Sequence, residues 1–335
     1  MSRDTHENRA SRRAFLTAAG AGAASLAFTA GEQPAVGAAT TKDARSTVHD
    51  HLWIFTVPAG LDNPSLELGK RRGGSRMTPA EGAFYLNIPN LLLIRSNNLP
   101  RLPDREPGRA RTSFQQYATS FRPLDRVVWS VVGSGGHGGM AELPYVLSLA
   151  KEFPNISGIY LDDFIIDRKK GADGRVVGRP ALHPSELKSA RERLKAVGRP
   201  MDIWVTLYTH EVNPQHPGHI ACDPPLGKFL DLFDVLTLWT WNANELPELE
   251  TNLAALERIA PKQRRIALGI YIWDYPNSRP VPLELMRHQC KLGFKWLKEK
   301  RIQEMIFLAN TVLDVGLPSG EFARNWIAKV GAQTI

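Results

Sequence analysis

Two adjacent carboxylates end an apolar run in the sequence GIYLDDF, residues 158–164. Like charges side by side are unfavourable, so the pair Asp162 and Asp163 is expected either in water at a loop or in a site that uses it. Two further acids, Glu245 and Asp274, also follow apolar runs. Cleavage of a glycosidic bond uses one carboxyl group to protonate the leaving oxygen and a second to attack or to activate water. These four acids are therefore candidate catalytic residues.

Aromatic and polar side chains occur at corresponding places, in or just after apolar runs. The flat apolar faces of pyranose rings stack on aromatic side chains, while sugar hydroxyls need polar partners. The candidate substrate-binding residues are Tyr160, Tyr208, His210, Trp239, Trp241, Tyr271, Trp273 and Asn310. Acids among tryptophans and tyrosines favour a carbohydrate substrate, and this chemistry requires no cofactor and no metal.

Each candidate also has a purely structural interpretation. Asp162 and Asp163 can cap a turn or accept hydrogen bonds from loop amides. Asp274 stands shortly before Pro276, where an acid is a common turn residue. Glu245 precedes a predicted helix, whose dipole favours an acid at its start. The tryptophans can fill the core. The residue types alone leave both interpretations open.

The elements that must position these residues alternate along the chain. Short apolar runs rich in β-branched or aromatic residues predict strands, and the longer segments between most of them have helical spacing. Predicted strands cover residues 51–57, 84–94, 126–132, 157–164, 202–208, 234–241, 265–273 and 304–310. Predicted helices cover residues 139–153, 183–197, 246–260, 282–300 and 320–330. Strand followed by helix, repeated eight times, is the pattern of a (β/α)8 TIM barrel, an α/β fold, here as a single domain.

The first two units of this pattern are irregular. Residues 58–82 and 95–112 hold clusters of Pro, Gly and Arg without clear periodicity, which predicts long loops or insertions. An open, doubly wound sheet is the alternative architecture. No GxGxxG sequence follows the first strand, however, as the dinucleotide-binding form of that fold would have.

A barrel would bring the candidates to one place. Active sites of such barrels lie at the carboxyl ends of the strands, and successive side chains alternate between the lumen and the helix-facing side. If Ile159 and Leu161 face the helices, then Tyr160 and Asp162 face the lumen. The same alternation directs Trp204, Thr206, Tyr208, Thr237, Trp239, Trp241, Gly269, Tyr271 and Trp273 inward. The mouth of the lumen is thus predicted to collect acids and aromatic rings.

With acids at the ends of the fourth and seventh strands, residues 50–330 resemble a (β/α)8 glycoside hydrolase. In one large group of retaining glycosidases the acid/base ends strand four and the nucleophile ends strand seven, which implies these roles for Asp162 or Asp163 and for Asp274. In another group the strand-four residue is the nucleophile and the acid lies on strand six, which implies a role for Glu245. The sequence departs from the first group in using aspartates and in lacking an Asn before the strand-four acid. The DxxDxDxE run of chitinase-like barrels is also missing.

Two other functions fit the same barrel. The segment HEVNPQHPGH, residues 210–219, offers ligands for a metal-dependent hydrolase or isomerase, although it contains no HExxH sequence. Those ligands would be His210, Glu211, His216 and His219. A non-catalytic carbohydrate-binding barrel would keep the aromatic rings without a competent pair of acids. The glycine-rich segment at residues 133–139 predicts a mobile loop beside the site and lacks the Lys and Ser/Thr of a P-loop.

The N-terminal residues predict export. SRRAFLT, residues 11–17, precedes an Ala- and Gly-rich apolar run and then AVGAAT, which resembles a twin-arginine signal with small residues at a cleavage site. We expect residues 1–39 to be a signal peptide read by the twin-arginine export machinery and residues 40–335 to be the catalytic barrel, which would be periplasmic or extracellular. No other stretch has the ~18 continuous apolar residues of a membrane span.

Composition adds little about partners. The net charge of +8 is spread along the chain rather than concentrated in blocks, so nucleic acid is not a favoured partner. Only two cysteines occur, Cys222 and Cys290. Disulfides are therefore not the scaffold, and the sequence leaves open whether these two residues pair.

Overall fold

The computed structural model describes residues 46–71 and 73–335, and eight parallel strands within them close into a barrel. The strands are β1 (Leu52–Thr56), β2 (Asn90–Leu93), β3 (Arg126–Val132), β4 (Ile156–Leu161), β5 (Asp202–Tyr208), β6 (Val235–Trp239), β7 (Arg265–Tyr271) and β8 (Glu304–Leu308). Each strand pairs with its neighbours in the sequence, and β8 pairs with β1. The predicted TIM barrel is confirmed.

The strand predictions are close because these strands are buried on both sides. One side faces the lumen and the other faces the helices, so parallel strands of this kind have nearly continuous apolar sequences. Strands β3 and β5 have the predicted boundaries, 126–132 and 202–208.

Helices surround the barrel. They are α1 (Asn63–Leu68), α2 (Pro79–Leu86), α3 (Ser113–Ser120), α4 (Leu143–Glu152), α5 (Pro184–Lys195), α6 (Thr209–Val212), α7 (Leu249–Ile259), α8 (Leu283–Lys298) and α9 (Pro318–Val330). The five predicted helices correspond to α4, α5, α7, α8 and α9. In α8 the buried residues Met286, Cys290, Gly293 and Leu297 recur with the spacing of one helix face, which packs on the barrel.

Residues 84–94 do not form one strand, contrary to the prediction, because α2 ends and β2 begins within this range. The helix starts with a reciprocal cap: Thr78 accepts from the backbone N–H of Glu81, and the Glu81 carboxylate accepts from the N–H of Thr78. It ends at Asn87, which is left-handed with φ 53°. Most residues of the run FYLNIPNLLLI are apolar, so its two halves resemble one strand, although Asn87 and Pro89 mark the boundary.

A small sheet, which the sequence did not predict, is inserted after β4. Strands Ile165–Lys170 and Val176–Pro180 form an antiparallel hairpin, here called the β4 hairpin. Strand Ile220–Cys222, which comes after β5, pairs in parallel with the second strand of this hairpin. A two-stranded sheet of Trp273–Asp274 and Arg279–Pro280 follows β7. These additions follow the carboxyl ends of barrel strands, where loops build active sites.

The lumen near the strand starts is closed by aromatic rings and an ion pair. Trp53 packs on Trp204 with ring centroids 4.7 Å apart, and its indole N–H donates to Glu304 over 2.7 Å. The guanidinium of Arg126 lies 3.2 Å from the same carboxylate. Glu304 is thus buried with both a charge partner and a donor, as a buried acid requires.

A second lumen layer lies nearer the strand ends. The hydroxyls of Tyr160 and Thr206 share a hydrogen bond of 2.9 Å, and the indole N–H of Trp239 donates to Tyr160 over 3.2 Å. Gly269 makes room for Trp239, because a Cβ at Gly269 would lie 2.0 Å from the indole ring. Side chains of β4, β5 and β6 therefore meet inside the barrel, as the predicted alternation requires.

The export signal predicted at residues 1–39 lies outside the described residues, and it stays a prediction. Within residues 46–71 and 73–335, no helix combines the length and the apolar character needed to cross a membrane. Cys222 and Cys290 are both buried and are not bonded to each other.

Candidate functional site

A cavity of about 390 Å³ opens at the carboxyl ends of the barrel strands. Its lining combines three carboxylic acids with aromatic rings and small polar side chains. The lining residues are Phe55, Val57, Leu61, Asp62, Ser65, Ser96, Asn97, Ser134, Asp162, Asp163, Arg168, Tyr208, His210, Trp239, Trp241, Tyr271, Tyr275, Leu308 and Ala309. Seven predicted site residues are among them: Asp162, Asp163, Tyr208, His210, Trp239, Trp241 and Tyr271.

Asp163 holds its carboxylate against two hydrogen-bond donors. One oxygen accepts from the backbone N–H of Gly135 over 2.7 Å, and the other accepts from the Tyr208 hydroxyl over 2.6 Å. Gly135 is left-handed, with φ 71°, so the glycine-rich segment after β3 turns a backbone amide toward the acid that follows β4. Hydrogen bonds donated to a carboxylate favour its charged form.

Asp162 belongs to the second lumen layer, the one nearer the strand ends. Its Oδ1 atom lies 2.9 Å from the Thr206 hydroxyl, and the residue is only 6% exposed. Burial raises the pKa of Asp162 well above its usual range, and the charge of the adjacent Asp163 raises it further. A raised pKa favours the uncharged form of Asp162, which lessens the repulsion between the two adjacent acids.

An aromatic wall, formed by Trp241 and Tyr275, borders the cavity. The two rings are stacked, with centroids 5.5 Å apart and planes 9° from parallel, and Trp241 is 40% exposed. Tyr208 and Tyr271 meet the Trp241 ring edge-on at 6.3 and 5.9 Å. An exposed indole beside phenolic hydroxyls provides both an apolar face and polar partners for a sugar ring.

His210 and Arg168 are the basic residues of the lining. The His210 ring stacks on Tyr208, with centroids 5.2 Å apart and planes 4° from parallel. Burial lowers the pKa of His210 to about 4, and the charge of Arg168 contributes, so the imidazole is neutral at pH 7. Arg168 comes from the β4 hairpin and pairs with Glu211 at 2.9 Å. The sequence analysis missed Arg168, because an arginine in an exposed hairpin has no distinguishing pattern.

Asp62 is another lining residue that the sequence analysis missed. It follows β1 and precedes α1, a position where an Asp usually caps the helix, but its side chain makes no capping hydrogen bond. The carboxylate accepts instead from the Thr311 hydroxyl and lies near the hydroxyl of Tyr275. Burial raises the pKa of Asp62.

Two predicted catalytic acids, Asp274 and Glu245, do not line the cavity. The Asp274 side chain is fully buried, pairs with Arg279 at 3.2 Å and accepts from Asn277 at 3.0 Å. Glu245 pairs with His216 at 3.2 Å. The cavity therefore does not contain the carboxylate pairs that the resemblance to glycoside hydrolases implies, because the chain after β7 turns into the two-stranded sheet and carries Asp274 with it.

Three predicted substrate-binding residues also lie outside the lining. Trp273 is fully buried and packs so tightly against Gly69 that a Cβ there would lie 2.4 Å from its ring. Tyr160 belongs to the lumen layer below the cavity. Asn310 is fully buried and bonds both the N–H and the C=O of Val57 at 3.0 Å. In this arrangement these side chains support the site and do not face a ligand in the cavity.

The side chains of residues 210–219 do not converge on one point. Glu211 forms an ion pair with Arg168, the His216 ring lies 3.2 Å from the Glu245 carboxylate, and the His219 ring lies 3.0 Å from the carbonyl oxygen of His210. In the part of the chain that the structure describes, no cluster of three or more His, Cys, Asp or Glu residues is arranged to hold a metal ion. The metal-dependent alternative therefore has no ligand set in this geometry.

Glu211 should make the stability of the protein depend on pH. Burial raises the pKa of Glu211 to about 7, although the N–H of Tyr208 and the charge of Arg168 oppose this. Because the folded-state pKa is the higher one, this contribution to stability is complete at low pH and is lost as the pH rises through about 7. Between about pH 5 and about pH 8, the wild type should lose on the order of 2 kcal/mol of unfolding free energy relative to Glu211→Gln. Denaturant titrations of both proteins measure this difference, and parallel pH profiles would contradict it.

Comparison with known proteins relates the chain to others through its fold. No protein-family model and no curated protein matches the sequence. Among solved structures, a putative α-L-fucosidase from Bacteroides thetaiotaomicron is 10% identical, with a TM-score of 0.50 over 87% of this chain and 99% of the other. The spore cortex-lytic enzyme SleL of Bacillus cereus is 13% identical, with a TM-score of 0.46 over 88% of this chain and 76% of the other. A 2,3-dimethylmalate lyase is 9% identical, with a TM-score of 0.40 over 78% and 76%.

At 10% identity, the likeness to the fucosidase structure supports the barrel fold alone and does not identify an activity, since one fold hosts many reactions. The chemistry of this chain has to be argued from the residues of its cavity.

Proposed function

We propose that the protein is a glycoside hydrolase that cleaves its substrate with carboxyl groups at the carboxyl-terminal face of the barrel. One observation carries the proposal: Asp163 and Asp162, whose pKa is raised by burial, line the same cavity as an exposed aromatic wall. Glycosidases combine these features, because a sugar ring needs an apolar platform while the reacting bond needs carboxyl groups in different protonation states.

Asp163 fits the role that requires a carboxylate. The donors Gly135 and Tyr208 hold its two oxygens in place, so it can attack the anomeric carbon or take a proton from a water that does. The raised pKa of the adjacent Asp162 limits the negative charge at the end of β4. The wall of Trp241 and Tyr275 would carry the sugar ring, with the neutral His210 as a hydroxyl partner.

A non-catalytic carbohydrate-binding barrel accounts for the aromatic wall but not for the acids. Burying Asp162 next to a second carboxyl group opposes folding, because desolvating such groups is costly, and a platform that only binds sugar does not require this pair. Asp162 and Asp163 are therefore the reason to favour an enzyme over a binding protein.

The first test is hydrolysis of a panel of aryl glycosides and polysaccharides by the purified protein and by Trp241→Ala. If Trp241 carries the sugar ring, its loss should raise KM by roughly 3- to 10-fold, the equivalent of one aromatic stacking contact, with a smaller change in kcat. Phe84→Ala is the matched control, since Phe84 is 89% exposed and lies outside the cavity. Failure to hydrolyse any glycoside would refute the proposal, and sugar binding without turnover would indicate a binding barrel.

A further inference from the structure

The cavity has a third acid on the side away from Asp163. Asp62 follows β1 and Asp163 follows β4, and these strands are separated by two strands in one direction around the barrel and by four in the other. Their lumen side chains meet across the barrel, since Phe55 of β1 contacts Tyr160 of β4 edge-on with centroids 6.2 Å apart. Asp62 and Asp163 therefore enter the cavity from facing walls.

Three tyrosines connect the two acids along one side of the cavity. The hydroxyl of Tyr275 lies near Asp62, and the Tyr275 ring lies 5.9 Å from that of Tyr271. The Tyr271 hydroxyl lies near that of Tyr208, which donates to Asp163. All three tyrosine rings also contact Trp241. Trp241 is therefore connected to Asp62 through Tyr275 and to Asp163 through Tyr208.

The two acids have different surroundings. Asp163 accepts from a backbone amide and a phenol. Asp62 accepts from the Thr311 hydroxyl, and no basic side chain within residues 46–71 and 73–335 forms an ion pair with it. Burial raises the pKa of Asp62, which is the direction that a proton donor requires.

Asp162 also has a raised pKa but is badly placed to donate to a leaving group. It precedes Asp163 directly, lies on the same wall and bonds into the lumen layer through Thr206. The two carboxyl groups of a glycosidase act from either side of the reacting bond, with ~5–10 Å between them. Of the two acids with a raised pKa, only Asp62 lies across the cavity from Asp163.

Building on the proposed glycosidase activity, we propose that Asp62 is the catalytic proton donor and acts across the cavity from Asp163. The Asp62 carboxyl proton moves to the glycosidic oxygen as the bond from that oxygen to the anomeric carbon breaks, and the bonding electron pair leaves with the oxygen as an alcohol. The anomeric carbon gains an oxygen either from water, whose proton goes to Asp163, or from Asp163 itself. In the second case water later cleaves the glycosyl ester and returns a proton to Asp62. Either route consumes one water. The second route returns both acids to their starting states directly, whereas in the first Asp163 releases its new proton to solvent and Asp62 takes one up before the next turnover.

The test uses two aryl glycosides of one sugar that differ only in the leaving group. Phenol is a poor leaving group and needs a proton, whereas 2,4-dinitrophenol departs without one. Asp62→Asn should lower kcat/KM for the phenyl glycoside by about 10²- to 10⁴-fold and that for the dinitrophenyl glycoside by less than about tenfold. Asp163→Asn should impair both substrates.

The possible results separate this inference from the proposed function. If the wild type hydrolyses no glycoside, the proposed function fails. If the wild type is active and Asp62→Asn impairs both glycosides equally, or neither, then Asp62 is not the proton donor. Asp274→Asn is the matched control, because its carboxylate lies outside the cavity. If Asp274→Asn, and not Asp62→Asn, impairs the phenyl glycoside more than the dinitrophenyl glycoside, then Asp274 is the proton donor.

A second variant covers the case in which Asp62→Asn does not fold. Thr311→Val removes one hydroxyl that donates to Asp62 and keeps the shape of the buried side chain. A donated hydrogen bond favours the charged form, so its loss should raise the pKa of Asp62 and move the alkaline limb of kcat/KM for the phenyl glycoside to higher pH. An alkaline limb that stays in place would overturn the assignment.

Discussion

Replacing Asp163 by asparagine should lower kcat/KM for glycoside hydrolysis by about 10²- to 10⁴-fold while leaving the fold intact. An amide has nearly the shape of the carboxylate, but it can neither attack an anomeric carbon effectively nor take a proton from water. The Tyr208 hydroxyl can rotate to accept from the new NH2 group, so the network around residue 163 keeps its geometry. The loss should therefore appear in kcat with an unchanged thermal midpoint.

Kinetics on the best glycoside of the panel, with unfolding curves of the same samples, measure this effect. Asp173→Asn is the matched control, because its side chain is 61% exposed and belongs to the β4 hairpin near the same cavity. A loss below about tenfold in the Asp163 variant would show that this carboxylate takes no direct part in the chemistry.

Exchanging Gly269 for alanine should be the most damaging single-methyl change in the barrel wall. The new Cβ would lie 2.0 Å from Cε3 and 2.2 Å from Cδ2 of Trp239, and that indole is buried between Phe55 and Tyr271. The ring cannot move without breaking its bond to Tyr160. Overpacking of this kind typically costs ~1–3 kcal/mol and sometimes more, so we expect the free energy of unfolding to fall by at least about 2 kcal/mol.

Because Trp239 also lines the cavity, the same variant should lose activity at temperatures where it remains folded. Gly320→Ala is a suitable control, since the nearest atom to a Cβ there is 3.7 Å away and alanine is favoured over glycine in a helix by ~1 kcal/mol. Denaturant unfolding of the wild type, Gly269→Ala and Gly320→Ala measures the free energy of unfolding of each protein. A Gly269→Ala protein as stable as the wild type would mean that Trp239 is not fixed as described.

The sequence predicts the fold and the lumen residues because barrel strands impose a strict alternation. Asp162, Tyr208, Trp239 and Tyr271 lie where the two-residue period of their strands places them. The burial of both strand faces makes each strand an apolar run that is easy to recognise. The position of an acid at the end of such a run then follows from the architecture.

The same alternation fails where a strand leaves the barrel. Beyond β7, the N–H of Ile272 still bonds the C=O of Leu308, whereas the C=O of Ile272 accepts from the N–H of Val281 in the neighbouring sheet. From that point the two-residue alternation of side chains no longer tells which residues face the lumen. The prediction that Trp273 and Asp274 lie at the mouth of the lumen is wrong for this reason. No local pattern marks this change, because the partner strand is set by tertiary structure.

Asp62 and Arg168 could not be found from the sequence for a different reason. Both lie in connecting segments, where the residue type does not reveal the direction of the side chain. Asp62 acquires its significance from Thr311 and Tyr275, which are more than 200 positions away in the chain. Arg168 pairs with Glu211, which follows β5. Only the closed barrel brings such distant partners together.

The parallel pairing of Ile220–Cys222 with Val176–Pro180 has an evolutionary consequence. It joins the segment after β5 to the β4 hairpin. Two loops that can change independently in a simple barrel are therefore constrained to evolve together in this protein. Loss or exchange of the hairpin alone would leave Ile220–Cys222 as an unpaired edge, which invites aggregation. Descendants of this barrel with a new specificity at this side of the cavity should therefore have changed both loops together, and a grafting design should transfer them as a pair.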